Sequence, residues 1–365
     1  MDLFSEHKYS WQTSPIMIGY RQSLFGYNSL KWDKRIEPVR YQEAKKSYVE
    51  TLELVSANAI NKFFALATAQ SNYDIASFNY ANADTLYRYA QGRYNIGTIT
   101  ENEMLQLELN RLTEETNRMN ARIEMDNCMQ ELRSYLGIQE EREIRVRVSS
   151  RIPDFSINLN EALALAYENS PDIQTMKRRK LESESAVARA RANAGLKADI
   201  YLRFGLTQTA DKLPEAYRNL LDQQYVSLSI SLPILDWGRG KGQVRVARSN
   251  RDLVYTQVEQ SRTDFELNVR KLVKQFNLQT QRVRIAARTD ETAQRRNEVA
   301  RKLYILGKST ILDLNASISE KDSARRNYVS ALYNYWSLYY TLRSMTLYDF
   351  ESNKLLTEDY NLLIE

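Results

Sequence analysis

Few residues in this chain could do chemistry. His7 is the only histidine and Cys128 the only cysteine among 365 residues. That sets aside Ser-His-Asp triads, His-paired cysteine nucleophiles and multi-histidine zinc sites. It also leaves no intrachain disulfide and no Cys-based metal site, so Cys128 reads as a small packed residue on a helix. Carboxylates are plentiful and chemistry by carboxylates alone stays formally open, but nothing beyond the presence of Asp and Glu points to it. The expectation is no enzyme, no cofactor and no metal. Gly238-Arg239-Gly240-Lys241-Gly242 invites a phosphate-loop reading, yet it lacks the Walker spacing and the Ser/Thr after Lys. A corner between a strand and a helix explains it better.

Elements must then carry the function. Charged residues are 27% of the chain with a net charge of +5. So small an excess predicts no nucleic-acid partner, and mixed Lys, Arg and Glu suit long solvated helices. No stretch approaches the roughly 20 apolar residues of a spanning helix, and MDLFSEHKYS does not read as a signal peptide. The prolines are Pro15, Pro38, Pro153, Pro171, Pro214 and Pro233, so 39–152 and 234–365 contain none. Glycine is absent between Gly26 and Gly92 and between Gly242 and Gly307. Such runs predict very long helices. Apolar residues step by three and four through Tyr41, Ala44, Tyr48, Leu52, Val55, Ala59, Phe63 and Leu66. They do so again through Val269, Leu272 and Phe276, and through Tyr328, Leu332, Tyr335, Tyr339 and Leu342. These are coiled-coil seams.

Three segments obey period two instead. Val226, Leu228, Ile230, Leu232 and Ile234 alternate with Ser227, Ser229, Ser231 and Pro233. Ile200, Leu202, Phe204 and Leu206 alternate with Tyr201, Arg203, Gly205 and Thr207, and Ile16, Ile18, Tyr20 and Leu24 share a face. A strand of about ten residues with one apolar and one polar face matches a membrane barrel strand, lipid outside and lumen inside. Trp11, Trp32, Tyr201, Tyr225 and Trp237 fall near predicted strand ends, where an aromatic girdle belongs.

The chain also overlays on itself at an offset of 210 residues. Ala90 lands on Ala300, Tyr94 on Tyr304, Gly97 on Gly307, Thr100 on Thr310, Asn117 on Asn327 and Leu132 on Leu342. The predicted order in each half is strand, long ascending helix, Tyr-x-x-Gly loop, returning helix, which reads as duplication rather than a solenoid. The second half adds a short helix, a helix and a strand before the strand at 225. Ser170 is the expected N-cap and Pro171 the first helical residue there. The first half lacks that counterpart, so an N-terminal helix, one strand and a signal peptide are expected to be missing before residue 1.

RYAQGRYNIGTITENE, the weaker of two tip copies, LNEALALAYENSPDIQ, SISLPILDWGRGKGQVRVA and RKLYILGKSTILDLNAS occur in this order. Together with the repeat they resemble the TolC-like outer-membrane efflux family over essentially the whole chain. The resemblance implies a mainly α fold with a few strands: a long antiparallel coiled-coil α-barrel joined to transmembrane β-barrel strands, in two structural repeats. The boundaries would be 1–138 for an incomplete first repeat, 139–156 for an equatorial linker, 157–349 for the second repeat and 350–365 for an equatorial tail. Ascending helices would occupy 39–93 and 243–303, and shorter helices 311–348 and 172–196. It implies a homotrimer in the outer membrane with a periplasmic extension, contacting outer-membrane lipid, a periplasmic adaptor (membrane fusion protein) and an inner-membrane pump. Twelve strands would close one barrel, and with three of its four strands this chain should not close a normal one.

Adaptor docking would fall on Tyr94, Gly97, Thr98 and Thr100 and on Tyr304, Gly307, Lys308, Ser309 and Thr310. Asp313 and its counterpart Glu103 would line the periplasmic aperture, or simply favour a helix N-terminus. Ile16, Ile18, Tyr20, Ile200, Leu202, Phe204, Val226, Leu228, Ile230 and Leu232 would face lipid. A soluble coiled-coil scaffold or adaptor, with its strands in a small sheet, is the alternative.

Overall fold

Long stretches without glycine or proline leave the backbone little choice but helix, and the computed structural model is dominated by them. It describes residues 10–139, 143–149, 152–306 and 308–356. Strand β1 (Trp11–Ser23) leads into α1 (Ser29–Asn95), which turns into α2 (Glu101–Tyr135). After extended segments come α3 (Leu159–Asn169), α4 (Pro171–Ala194), β2 (Lys197–Ala210) and β3 (Leu221–Ser231). Then follow α5 (Arg239–Ile305), α6 (Ile311–Thr346) and the short hairpin β4 (Tyr348–Asp349) and β5 (Lys354–Leu355). Helices α1 and α5 have 67 residues each; they start 210 residues apart and end 210 residues apart. Among the described residues no helix is long and apolar enough to cross a membrane.

Two boundaries depart from the sequence expectation. Helix α1 begins at Ser29 rather than after Pro38, which sits inside it. Asn28 starts it by accepting a hydrogen bond from the Lys31 N–H at 3.0 Å. Proline costs the helix one backbone hydrogen bond, but contacts on both sides of Pro38 hold α1 to α4. Arg35 reaches Glu184 at 3.8 Å before it. After it, the Arg178 guanidinium forks onto Glu43 at 2.6 and 2.9 Å. That fork, helped by Thr175, holds the Glu43 carboxyl below its ordinary range. Helix α5 likewise starts at Arg239, four residues before its expected start. Ser170 and Pro171 behave as expected, with the Asp172 N–H donating to Ser170 Oγ at 3.2 Å.

The chain forms two compact units, residues 1–43 with 174–263 and residues 44–173 with 264–365. Each draws on both halves of the sequence. The first holds the three-stranded sheet and buries Ile36, Val187 and Val258. The second holds the main aromatic core. Phe276 packs against Tyr335 at 5.1 Å, Phe155 at 5.4 Å and Tyr339 at 6.0 Å between ring centroids. Two carboxamides fasten the extended segments. Gln70 pairs with the backbone of Ile144 and Val146, and Asn277 with both backbone groups of Ile157 at 2.9 Å.

The seams on α5 and α6 are largely buried, with Val269, Phe276, Leu332, Tyr335, Tyr339 and Leu342 inside and Leu272 and Tyr328 half-buried. The seam expected on α1 is only partly so: its last member, Leu66, is fully buried and Leu52, Ala59 and Phe63 are half-buried, but its first members face out. Tyr41, Tyr48 and Val55 are exposed, while Val49, Glu53, Phe64 and Ala67 are buried. The inward face includes a carboxylate, which a count of apolar residues passes over. Arg343 explains it: Nε lies 2.9 Å and Nη2 3.0 Å from the Glu53 carboxylate, and Asp349 is at 3.6 Å. Burial works against the Arg343 charge, yet the two carboxylates raise its pKa overall. Another device holds α1 to α2. The Arg118 guanidinium lies 4.1 Å over the Tyr80 ring and Arg111 lies 5.6 Å over Tyr87, each pair shifted by one heptad.

These contacts differ in worth. Removing one partner of a buried pair strands the other charge, which costs about 3 kcal/mol. A partly exposed cation–π contact contributes about 0.5–1 kcal/mol. Arg343→Ala is therefore expected to lower the unfolding temperature clearly more than Arg118→Ala when unfolding is followed by helical circular dichroism. Equal shifts would mean that Arg343 is not the tie between α6 and α1.

Candidate functional site

The sheet has order β1-β2-β3 with antiparallel pairs. Tyr20 faces Leu202, which faces Val226; Gln22 faces Ile200, which faces Leu228; Ile18 faces Phe204. Directly opposed residues project on the same side, so the apolar rows of all three strands coincide. Ile16, opposite Leu206, and Ile230, opposite Ala198, extend the same face. The charged strand residues Arg21, Lys197, Asp199 and Arg203 alternate onto the other side. Asp222, opposite Leu206 near one strand end, is the exception. The apolar face is bare, with Ile18 at 69% and Val226 at 67% exposure. Leu24, Leu232 and Ile234 lie past the strand ends. A bulge between Thr13 and Ile16 brings in Pro15, where a residue without an N–H is tolerated.

The girdle expectation needs correction. Tyr201 and Tyr225 contact each other at 6.3 Å, but their pleat parity puts them on the polar face. The alternation that makes the neighbouring residues apolar-facing forces this. Trp11 opens β1, Trp32 sits in the first turn of α1 under Arg35, and Trp237 follows β3.

The two helical hairpin tips lie in the second unit and repeat the same hydrogen bonds. The Thr98 N–H donates to Arg93 O at 2.9 Å, and the Lys308 N–H donates to Leu303 O at 2.9 Å. Gly97 has φ +72°, the left-handed conformation that ends a helix. Gly307 lies outside the described residues, as does His7. Thr100 and Thr310 both cap the returning helices, each in a capping box with the acid three residues on, Glu103 and Asp313. The Thr310 hydroxyl donates to the Asp313 carboxylate at 2.7 Å, Ser309 donates at 3.3 Å, and these bonds lower the Asp313 pKa. Tyr304 is pushed up by burial. Beside it a cavity of about 240 Å³ is lined by Leu86, Tyr89, Tyr304, Ile305, Leu314 and Ile318. Ile96, Leu306 and Leu312 around the loops are exposed.

Sequence reasoning missed Asp236. Its carboxylate accepts the Gly238 N–H at 2.9 Å and the Gly240 N–H at 2.8 Å, turning the chain from β3 into α5. Those two bonds, Gly240 first, lower its pKa. Trp237 and Gly238 both take positive φ at this corner. A side chain at position 240 would meet Ala194 Cβ at 2.9 Å, so the start of α5 abuts the end of α4. The signal was an Asp before Gly-x-Gly at a strand end, a capping residue in the right place.

Among the described residues no group of His, Cys, Asp and Glu could hold a metal ion. The chain is 21% identical over 311 residues to the outer membrane protein TolC of Escherichia coli, a match that covers 82% of the chain and 61% of that relative's length. The fold is similar to the CmeC outer membrane channel of Campylobacter jejuni, with TM-score 0.75 and 15% identity over 98% of this chain and 80% of that one. It is also similar to the outer membrane protein VceC of Vibrio cholerae, with TM-score 0.71 and 14% identity over 93% of this chain and 85% of that one. Residues 162–346 match the outer membrane efflux protein family, and the chain belongs to that family, whose place is the outer membrane with a periplasmic extension.

Proposed function

We propose that this chain is one protomer of a trimeric, passive outer-membrane exit duct, without enzymatic activity or cofactor, that passes small molecules or other cargo delivered by an inner-membrane pump through a periplasmic adaptor. The observation that carries the reading is the register of the sheet, which gathers three apolar rows on one bare face. A soluble sheet covers such a face, whereas a barrel turns it to lipid. Strands β1 and β3 each have an unpaired edge among the described residues. Unpaired backbone groups in lipid cost several kcal/mol each, so both edges require further strands, and the three strands described here are part of the twelve that a closed trimer needs. The residues that would face lipid are Ile16, Ile18, Tyr20, Ile200, Leu202, Phe204, Val226, Leu228, Ile230 and Leu232.

A duplicated architecture is part of this proposal, with repeats at 1–138 and 157–349, a linker at 139–156 and a tail at 350–365. The matched bounds of α1 and α5 and the paired tip hydrogen bonds support it. The adaptor would dock on the tips through Tyr94, Gly97, Thr98 and Thr100 and through Tyr304, Gly307, Lys308, Ser309 and Thr310. The exposed Ile96, Leu306 and Leu312 support this, because an unpartnered apolar cluster marks a contact surface. Glu103 and Asp313 would narrow the aperture as rings of charge in the trimer while they cap their helices.

The first test is the detergent-corrected mass of the membrane-extracted protein by light scattering. A trimer is expected; a monomer or dimer that stays in solution without detergent would replace the duct with a soluble scaffold. Val226→Arg is expected to block membrane assembly, since a cation facing the bilayer midplane costs about 2–4 kcal/mol. Ser227→Arg, on the other face, should assemble normally, and equal behaviour of the two would invert or remove the lipid face.

The tip acids allow a second test. The Asp313 pKa is lowered in the folded state, so its contribution to the cap is present above the ordinary aspartate range. That contribution is lost as pH falls through the lowered value. A spin label at Leu312→Cys, with Cys128→Ser, should gain mobility only in strong acid, and Asp313→Asn should remove that step. Block of single-channel current by divalent cations should weaken in Asp313→Asn but not in Thr310→Val. If both variants weaken it equally, Asp313 acts through the cap alone.

A further inference from the structure

The helix-side ends of the three strands form a collar that neither the duct nor the tips account for. Leu24–Phe25, Leu196–Lys197 and Leu232–Trp237 meet there. The Leu24 N–H donates to Ala198 O at 2.7 Å, and Lys197 pairs with Ser231. Gly240 closes on Ala194 from the next turn. Large apolar side chains project from this collar nearly free: Trp237 is 95% exposed, Ile234 85% and Leu235 81%. Trp237 is also held at φ +53°, a conformation that is costly for a bulky residue. The turn around Asp236 keeps it in that outward position.

Charge surrounds this apolar edge. Segments 24–35, 189–199 and 232–248 hold ten Lys and Arg against three Asp, so the collar is strongly basic. Two of the acids are already engaged, Asp199 with Arg21 at 3.8 Å and Asp236 with the backbone of α5. Lys31, Lys34, Arg239, Lys241 and Arg245 are exposed and have no carboxylate within ion-pair distance among the described residues. An apolar wedge flanked by unpaired cations, continuous with a lipid-facing sheet, is what an interfacial anchor requires. Anions at that depth are phospholipid headgroups.

We propose that this collar is a docking surface for anionic phospholipid headgroups of the leaflet that faces the helices. Trp237, Ile234 and Leu235 insert at the level of the acyl-chain boundary, and Lys31, Lys34, Lys241 and Arg245 receive the phosphates. The inference rests on the reading of the sheet as a membrane barrel and adds a lipid preference to it. The recognition is electrostatic, with each basic residue strengthening retention of an anionic lipid about fivefold.

The test uses the full chain in nanodiscs of phosphatidylethanolamine alone or with cardiolipin, read by lipid retained in native mass spectrometry and by melting temperature. Wild type should retain cardiolipin and melt higher with it. Lys31→Gln/Lys34→Gln/Lys241→Gln/Arg245→Gln should lose both effects, while Lys31→Arg/Lys34→Arg/Lys241→Arg keeps them. Equal cardiolipin retention by the glutamine variant would overturn the proposal, and so would the same stabilisation from inorganic phosphate. Quenching of tryptophan emission by brominated acyl chains separates the two readings, with Trp237→Phe and Trp11→Phe assigning the signal. Quenching of Trp237 supports the collar. Quenching of Trp11 without Trp237 refutes the collar and leaves the barrel. Quenching of neither refutes the barrel reading itself.

Discussion

The constraint from which the rest of this chain follows is the register of its three strands. Side chains alternate with period two, so a slip of one residue would send every apolar side chain to the opposite face. Here the slip is prevented from both ends. At one end the bulge at Ser14–Pro15 and the Thr13 hydroxyl, which donates to Ala216 O at 2.6 Å, set β1 against the turn between β2 and β3. At the other end Asp236 fixes where β3 stops and α5 starts. The register thus decides more than which side chains meet lipid. It also decides where β3 hands over to α5, since Asp236 caps that helix directly after the strand.

The two helical hairpins solve one geometric problem with different chemistry. Both tips use a threonine and an acid in a capping box, with Glu103 in one and Asp313 in the other. Behind the tips they diverge. Helices α1 and α2 are tied by Arg118 over Tyr80 and Arg111 over Tyr87. Helices α5 and α6 are tied by hydrogen-bonded polar pairs, Asn297 with Ser317 at 3.0 Å and Arg325 with the buried Asp290 at 3.1 Å. At the 210 offset Tyr80 corresponds to Asp290 and Tyr87 to Asn297. A cation over a ring tolerates sliding, because the attraction has no single bonded geometry. A hydrogen bond to a buried carboxylate does not tolerate it. Directed bonds fix the first hairpin far from its tip, where the Tyr135 hydroxyl donates to Val55 O at 2.9 Å and Lys62 to Glu131 at 2.7 Å, whereas in the second hairpin they also act close behind the tip.

How much of this the sequence disclosed depends on whether the cause was local. Strand alternation, the Thr-x-x-acid caps and Pro171 at a helix start are written within a few residues, and each stands in the structure where the sequence put it, except that the strands stop before Leu24, Leu232 and Ile234. Tyr41, Tyr48 and Val55 also form a clean heptad, yet they are exposed. The buried face instead admits Glu53, because Arg343 arrives from 290 residues away to neutralise it. Nothing near Glu53 announces that partner. Gln70 and Asn277 are of the same kind: ordinary polar residues on helices whose role exists only when an extended segment is laid beside them. Pro38 misled for a related reason, since the fork of Arg178 onto Glu43 that secures the helix beyond it comes from a distant helix.

Asp236 is the case between these extremes, and it shows how a local cap acquires a wider role. It gives its carboxylate to two backbone donors of its own turn, and it attracts the neighbouring Lys241 through space without forming an ion pair with it. The turn therefore holds Trp237 outward and at the same time leaves Lys241 and Arg245 without a carboxylate at ion-pair distance among the described residues. Had position 236 been a residue with no acceptor, the first N–H groups of α5 would have been left to water, and the corner would have lost the bonds that set its angle. Had an additional acid stood on α5, the basic face would have been neutralised from within. The corner thus satisfies the helix end and preserves a basic, apolar edge with one side chain, so packing and surface chemistry at this position have a single cause.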